Sequence, residues 1–351
     1  MSVIVPSYAY TYIKIGFLKQ IIMPQKERDK LSKVIDIKEF ISIIEPYYPD
    51  LEIKEYTITE IEKQVYNINI MLIGKIISYS PSNLRSFLKD YLLKYEIMNL
   101  KQIISGIILG ISQEEKRSNI NFLVQRYLDR EDFMKELVSI GSLEELRLFL
   151  RNTRYYKAVR EGLLYFRNKS EIFVLESFLD QIYYQNLVRK RKNLNKLERK
   201  MIVLLTHYLT EIYNIKLIYR GILNDIDRNL LSQFLVQSVL FFDAQDFNLL
   251  MEQTHIQEFF NLLNSTLKQD PDLKVFYREI SATMAHPIWV LERIYQRFYF
   301  SKFKLKVDKI DYTTLYRIFE LIIKKDQEIN FEIIPNLVRI IHRKFKRFED
   351  I

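Results

Sequence analysis

The chain has 351 residues, a formal charge of +9 and no cysteine, which excludes disulfides, thiolate metal sites and a cysteine nucleophile. Leu, Ile, Lys, Glu, Tyr and Phe are abundant while Gly (7) and Pro (8) are scarce, so long helices are favoured over turn-rich sheets and an all-α fold is expected. The positive excess suits an acidic partner, whether nucleic acid, an anionic lipid surface or an acidic protein face.

Met1 to Tyr12 has no basic start followed by an unbroken apolar core, so a secretory signal is not expected and a cytoplasmic location is. Phe17-Leu18-Lys19-Gln20 opens a segment that soon turns polar and acidic. The same pattern returns at Phe122-Leu123-Val124-Gln125 and at Phe234-Leu235-Val236-Gln237. A second landmark follows each: Ile37-Lys38-Glu39-Phe40, Leu143-Glu144-Glu145-Leu146 and Ile256-Gln257-Glu258-Phe259. Asp36, Ser142 and either Thr254 or His255 stand where a side chain would cap the helix that begins there, and Glu39 and Glu145 have capping-box spacing.

The third landmark is Glu62-Lys63-Gln64-Val65-Tyr66, with Leu179-Asp180-Gln181-Ile182-Tyr183 and Leu291-Glu292-Arg293-Ile294-Tyr295 as counterparts. The fourth is Glu96-Ile97-Met98-Asn99-Leu100-Lys101, repeated as Glu211-Ile212-Tyr213-Asn214-Ile215-Lys216 and, more loosely, as Ile333-Ile334-Pro335-Asn336-Leu337. In the first two copies a glycine, Gly106 or Gly221, follows seven residues after the Asn. Four landmarks in one order at a period of about 105 to 120 residues predict a triplication. Boundaries fall in the polar stretches 112–118 and 224–228, giving helical repeat domains 1–115, 116–226 and 227–351.

Each repeat carries amphipathic helices, as in the stripe Leu92, Tyr95, Ile103, Ile104 and Ile107. The longest apolar stretches, near 97–111 and 230–242, are broken by polar residues and fall short of the roughly 20 residues a membrane span needs. A Lys/Arg-rich run, 187–200, interrupts the second repeat and reads as an exposed connection.

Enzyme constellations do not emerge. The glycines form neither a phosphate loop nor a dinucleotide fingerprint. His207, His255, His286 and His342 show no metal-ligand spacing. Asp129, Glu131 and Asp132 have the look of a carboxylate cluster, but acids at a helix start also compensate its dipole, and that reading is preferred. Gly106 and Gly110 are expected to permit close helix contact within the domain. No catalytic, cofactor or metal site is assigned.

The middle copy resembles one family closely enough to name it. Glu211 to Gly221, Leu128-Asp129-Arg130-Glu131-Asp132-Phe133, Gly141-Ser142-Leu143-Glu144-Glu145-Leu146 and the segment 176–184 occur in the order shown by the family of the archaeal-type ATPase C subunit and the vacuolar-type ATPase d subunit. The resemblance implies a non-catalytic rotor component, one copy per complex, with three helical domains forming a funnel around a pseudo-threefold axis. It would lie at the cytoplasmic face of a membrane, seated on the proteolipid ring and receiving the central stalk, without a cofactor. Two features depart from the family pattern: Tyr10 to Gly16 offers only Lys14 as a cation, and Pro335 interrupts the third Asn segment.

Candidate interface residues under that resemblance are Asn99, Lys101, Asn214, Lys216, Arg220, Asn336 and Arg339. For Asn99, which shares a stripe with Tyr95 and Ile103, a buried structural amide is the favoured reading. The basic runs Arg189 to Lys200 and Arg339 to Phe348 would meet anionic headgroups on a ring, or phosphates if the chain were instead a basic scaffold for nucleic acid. Their unlike positions in the repeats favour the first, and no nucleic acid is expected.

Overall fold

A computed structural model describes residues 7–169, 171–189, 194–282, 284, 286–303 and 309–349, and among them there is no strand. The helices are α1 Ala9–Gly16, α2 Gln25–Leu31, α3 Ile37–Ile44, α4 Ile58–Tyr79, α5 Ser82–Ile108, α6 Gln113–Asn119, α7 Phe122–Leu128, α8 Glu131–Ser139, α9 Leu143–Phe149 and α10 Tyr156–Lys169. They continue as α11 Ile172–Val188, α12 Lys196–Leu223, α13 Arg228–Phe234, α14 Ala244–Glu252, α15 Ile256–Gln269, α16 Lys274–Ser281, α17 Pro287–Lys302, α18 Ile310–Gln327 and α19 Ile334–Glu349. A π-helical turn, Glu328–Ile333, joins the last two.

Local chemistry explains many of the boundaries. Asp36 accepts the amides of Lys38 and Glu39 to start α3, and Ser142 accepts that of Glu145 to start α9. Glu145 reaches back to the amide of Gly141 rather than to Ser142 itself, so the box is displaced by one residue. His255 is the N-cap of α15 but makes no side-chain cap. Within the run 187–200, residues 190–193 lie outside the described residues, and Lys196, Arg199 and Lys200 already belong to α12, which opens on an Asn195/Glu198 capping box.

The ends of α5 and α12 repeat each other closely. The Ile111 amide donates to the Gly106 carbonyl and the Gly110 amide to that of Ile107, with Gly110 at φ 68°. In α12 the Ile226 and Asp225 amides donate to Gly221 and Ile222, and Asp225 takes the left-handed conformation at φ 50°. Both are Schellman endings, and each requires positive φ at the residue after the cap. At Gly106 an added Cβ would lie 2.8 Å from Lys116 Cγ, and at Gly221 2.7 Å from the Leu231 methyl carbons. The glycines therefore admit the next helix as well as marking the end.

The chain divides into two compact units: Met1–Leu92 with Asn119–Met134 and Leu305–Ile351, and Leu93–Ser118 with Lys135–Lys304. The first has a core built by both chain ends, in which Phe40, Ile44, Tyr48, Ile61 and Val65 meet Ile329, Ile333, Leu337 and Ile340. The last four are spaced by four, four and three residues, one face of a helix, and each fully buried side chain of this size contributes about 1.5–3 kcal/mol. In the second unit α10 and α11 approach so closely at Gly162 that a Cβ there would lie 2.8 Å from the Leu175 Cα.

The opening landmark does not take one form. Phe17–Ile21 is a 3-10 turn, Phe122 begins α7, and Phe234 ends α13 before an extended stretch. The third form has a side-chain cause, found on α12.

Candidate functional site

The centre of the second unit is α12, whose 28 residues extend about 42 Å at 1.5 Å per residue. Glu211 and Asn214 lie three residues apart on its buried side and hold the extended segment that follows α13. The Asn214 amide nitrogen donates 2.8 Å to the Val236 carbonyl, and its oxygen accepts the Val236 amide at 3.0 Å. Glu211 accepts the amides of Leu240, Phe241 and Phe242 at 2.9, 3.1 and 3.2 Å, together with the Tyr295 hydroxyl. Side chains thus supply what a neighbouring strand would, which is why residues 235–242 need not be helical.

Burial raises the pKa of the Glu211 carboxyl, while the Tyr295 and backbone hydrogen bonds oppose that shift. The Tyr295 phenol is pushed well up, by burial first and then by the Glu211 charge. His207, one turn earlier on α12, contacts the Ser238 hydroxyl through Nδ1 at 3.1 Å and is lowered by burial. These features describe a rigid polar clasp.

Part of this arrangement recurs elsewhere. On α5, buried Glu96 accepts the Tyr155 hydroxyl. Lys101, five residues on, pairs with Asp180 at 2.6 Å, and Lys216, five residues after Glu211, pairs with Glu292. Asp180 and Glu292 hold equivalent positions in the third landmark, so in both places a lysine of the fourth landmark meets an acid of a third.

The first unit contains a variant of it, at Glu328. Its carboxylate accepts the Met23 amide at 2.9 Å and pairs with Lys325 at 2.7 Å, both side chains being fully buried. Lys325 Nζ also donates to the carbonyls of Ile21 and Tyr47 and sits 3.4 Å above the Tyr48 ring centroid. Burial lowers the Lys325 pKa to about 8 even though Glu328 opposes it, so the ammonium is charged at neutral pH. Burial and the Glu328 charge together push the Tyr48 phenol well above its ordinary value. Beside this cluster the Tyr66 hydroxyl, in the third landmark of the first copy, donates to the Asn330 side chain at 3.1 Å.

In its contacts Glu328 resembles Glu96 and Glu211 more than any residue of the looser match 333–337 does. The sequence held a signal for it: Glu-Ile occurs at 96–97, 211–212 and 328–329, 28 to 33 residues after the tyrosine of the third landmark. The π turn and Pro335 displace the looser match to Asn336.

All seven sequence-derived candidates can be placed. Asn99 is buried on α5, and Asn214 is bonded through both its nitrogen and its oxygen to Val236. Lys101 and Lys216 carry the pairs just described, and Lys216 is 46% exposed. Arg220 bonds Glu176 at 3.0 Å, lies 4.8 Å from the Phe173 ring centroid and is 45% exposed. Asn336 donates to the Glu332 carbonyl at 2.7 Å and accepts from Arg339 at 3.2 Å. Arg339 also donates to the carbonyls of Leu31 and Val34 at 3.0 and 2.8 Å, so it ties α19 to the end of α2. In the acidic group near 130, Asp129 pairs with Lys89 at 2.7 Å and Glu131 with Arg126 at 3.1 Å. The side chains of 343–348, most of the C-terminal basic run, lie outside the described residues.

No helix among the described residues is long and apolar enough to cross a membrane. A chain that is helical throughout its regular structure among the described residues, and in which buried carboxylates on long helices hold neighbouring segments, belongs to a class of packed helical scaffolds. More particularly, residues 14–344 match the ATP synthase (C/AC39) subunit family, and the chain belongs to that family. It is 24% identical over 236 residues to the C subunit of the A-type ATP synthase of Methanocaldococcus jannaschii, covering 65% of this chain and 57% of that protein. To the corresponding protein of Pyrococcus furiosus it is 22% identical over 235 residues, 65% of this chain and 60% of the other. For that of Methanosphaera stadtmanae the figures are 22% over 189 residues, 51% and 48%. The chain thus spans about half to three-fifths of the length of these relatives.

Proposed function

We propose that the chain is a non-catalytic part of an A-type rotary ATP synthase, coupling the central stalk to the membrane proteolipid ring. ATP chemistry resides in other subunits, and proton or sodium movement in the ring. The observation that carries this reading is the family match over residues 14–344. The repeated clasps agree with it, because a part that transmits torque must resist deformation, and buried hydrogen-bonded pairs on long helices resist it.

In this reading the three copies, 1–115, 116–226 and 227–351, stand around a pseudo-threefold axis as a funnel. Lys101–Asp180 then links the first copy to the second, Lys216–Glu292 the second to the third, and Glu328–Met23 the third to the first. Lys216 and Arg220, each nearly half exposed beyond its ion pair, face an acidic surface of stalk or ring. Asn99, Lys101, Asn214, Asn336 and Arg339 contribute by holding the copies in shape. The protein is peripheral, at the cytoplasmic face, one copy per complex, with the basic run that begins at Arg339 close to anionic headgroups.

Affinity purification of the tagged chain from gently solubilised membranes tests this. Recovery with stalk and ring subunits supports the reading. Recovery with RNA or DNA in their place, released by moderate salt, would replace it with a nucleic-acid scaffold.

A further inference from the structure

Within the first unit, a cavity of about 420 Å³ opens between the start of α2 and the middle of α18. Arg28, Arg317, Lys324 and Glu320 line it, along with Ile22 and Met23. Its walls are fixed from outside: Glu328 holds the Met23 amide, Lys325 holds the Ile21 carbonyl, and Arg339 holds the Leu31 and Val34 carbonyls at the far end of α2.

The charge in this cavity is not balanced. Lys324 is taken by Glu320 at 2.6 Å. Arg28 bonds the Gln25 side-chain oxygen through one terminal nitrogen, and its Nε is buried with no hydrogen-bond partner among the described residues. Arg317 lies 5.1 Å from the Tyr12 ring centroid. Neither guanidinium meets a carboxylate among the described residues. A buried donor without an acceptor calls for a missing partner, and the three cations set against one carboxylate call for an anion.

We propose that this cavity binds a phosphate monoester, clamped by the guanidinium groups of Arg28 and Arg317 with Lys324 as the third cation. Three cations less one carboxylate leave two positive charges, which match the charge of about −1.5 to −2 on a monoester at neutral pH. Guanidinium forks match the paired oxygens of a phosphate, which they bind bidentately. The volume falls in the range of roughly 300–1,000 Å³ typical of small-ligand sites, so the phosphate arrives attached to an organic group. A soluble phosphoester and a lipid headgroup present the same chemistry here.

The test uses the full chain with two probes, glycerol 3-phosphate in solution and phosphatidylcholine vesicles containing phosphatidic acid, followed by calorimetry and flotation. Saturable binding to either is expected, weakened about tenfold by Arg28→Gln and by Arg317→Gln, the loss of one charge-assisted contact each. Lys274→Gln, at an exposed site on α16, should leave it unchanged. Binding of glycerol 3-phosphate identifies a soluble phosphoester, whereas vesicle binding alone, lost in both arginine variants, identifies a lipid headgroup. Neither arginine carries an ion pair of the fold, so both variants should melt with the wild type; if one does not, the other decides. The proposal is overturned if neither probe binds, or if both arginine variants bind like the wild type.

Discussion

Replacing Glu211 by Ala removes the acceptor for four donors, two part-buried and two buried: the amides of Leu240, Phe241 and Phe242 and the Tyr295 hydroxyl. At about 1 kcal/mol for each stranded donor the loss is about 4 kcal/mol. Glu211→Gln keeps one oxygen for the three amides and turns an NH2 toward Tyr295, whose hydroxyl can rotate to accept it, so about 1 kcal/mol is expected. Amide hydrogen exchange at residues 240–242 reads the effect locally. In Glu211→Ala, protection there should fall about a thousandfold, which is the same 4 kcal/mol expressed as an equilibrium constant. Protection within tenfold of wild type in that variant would refute the reasoning, because the segment would then be held by its apolar contacts alone.

Other perturbations discriminate between further parts of the account. Lys325→Met strands buried Glu328 and should cost roughly 3–5 kcal/mol in urea unfolding, with Lys325→Met/Glu328→Leu costing less than the two single changes summed. Because the Lys325 pKa of about 8 lies below its unfolded value of about 10.4, the folded state releases its proton first. Wild-type stability measured against Lys325→Met should therefore rise from pH 8 to about pH 10 and be lost again as pH falls through 8; a flat difference contradicts the burial argument. Asn214→Ala breaks both bonds to Val236 and should lower stability by about 2 kcal/mol, as read from thermal melting. Gly162→Ala places a Cβ against the Leu175 backbone, which cannot rotate away as a side chain can, and about 1–3 kcal/mol of overpacking strain is expected in the same assay.

Much of this was legible in the residues. Helical content followed from composition, and the caps at Asp36 and Ser142 followed from spacing. The paired Schellman endings and the Lys–acid pairs fall at residues that the landmarks set in parallel. What eluded the sequence was long-range partnership. Nothing local marks Lys101 as the partner of Asp180, 79 positions away, rather than as a cation offered to another protein. The Lys325–Glu328 pair has the three-residue spacing of ordinary helix-surface charge, and only the enclosing carbonyls of Ile21 and Tyr47 make it a core element. Glu328 opens the π turn and stands eight residues before Asn336, so the three-residue Glu-to-Asn spacing seen at Asn99 and Asn214 does not lead to it.

The most direct measurement is the native mass of the complex that this chain forms when released from its own membranes in mild detergent. The account predicts one copy of the chain bound with ring and stalk subunits, and partial loss of those subunits when Lys216 and Arg220 are reversed to Glu. A free monomer in wild-type membranes, with the ATPase assembled without it, would contradict the account.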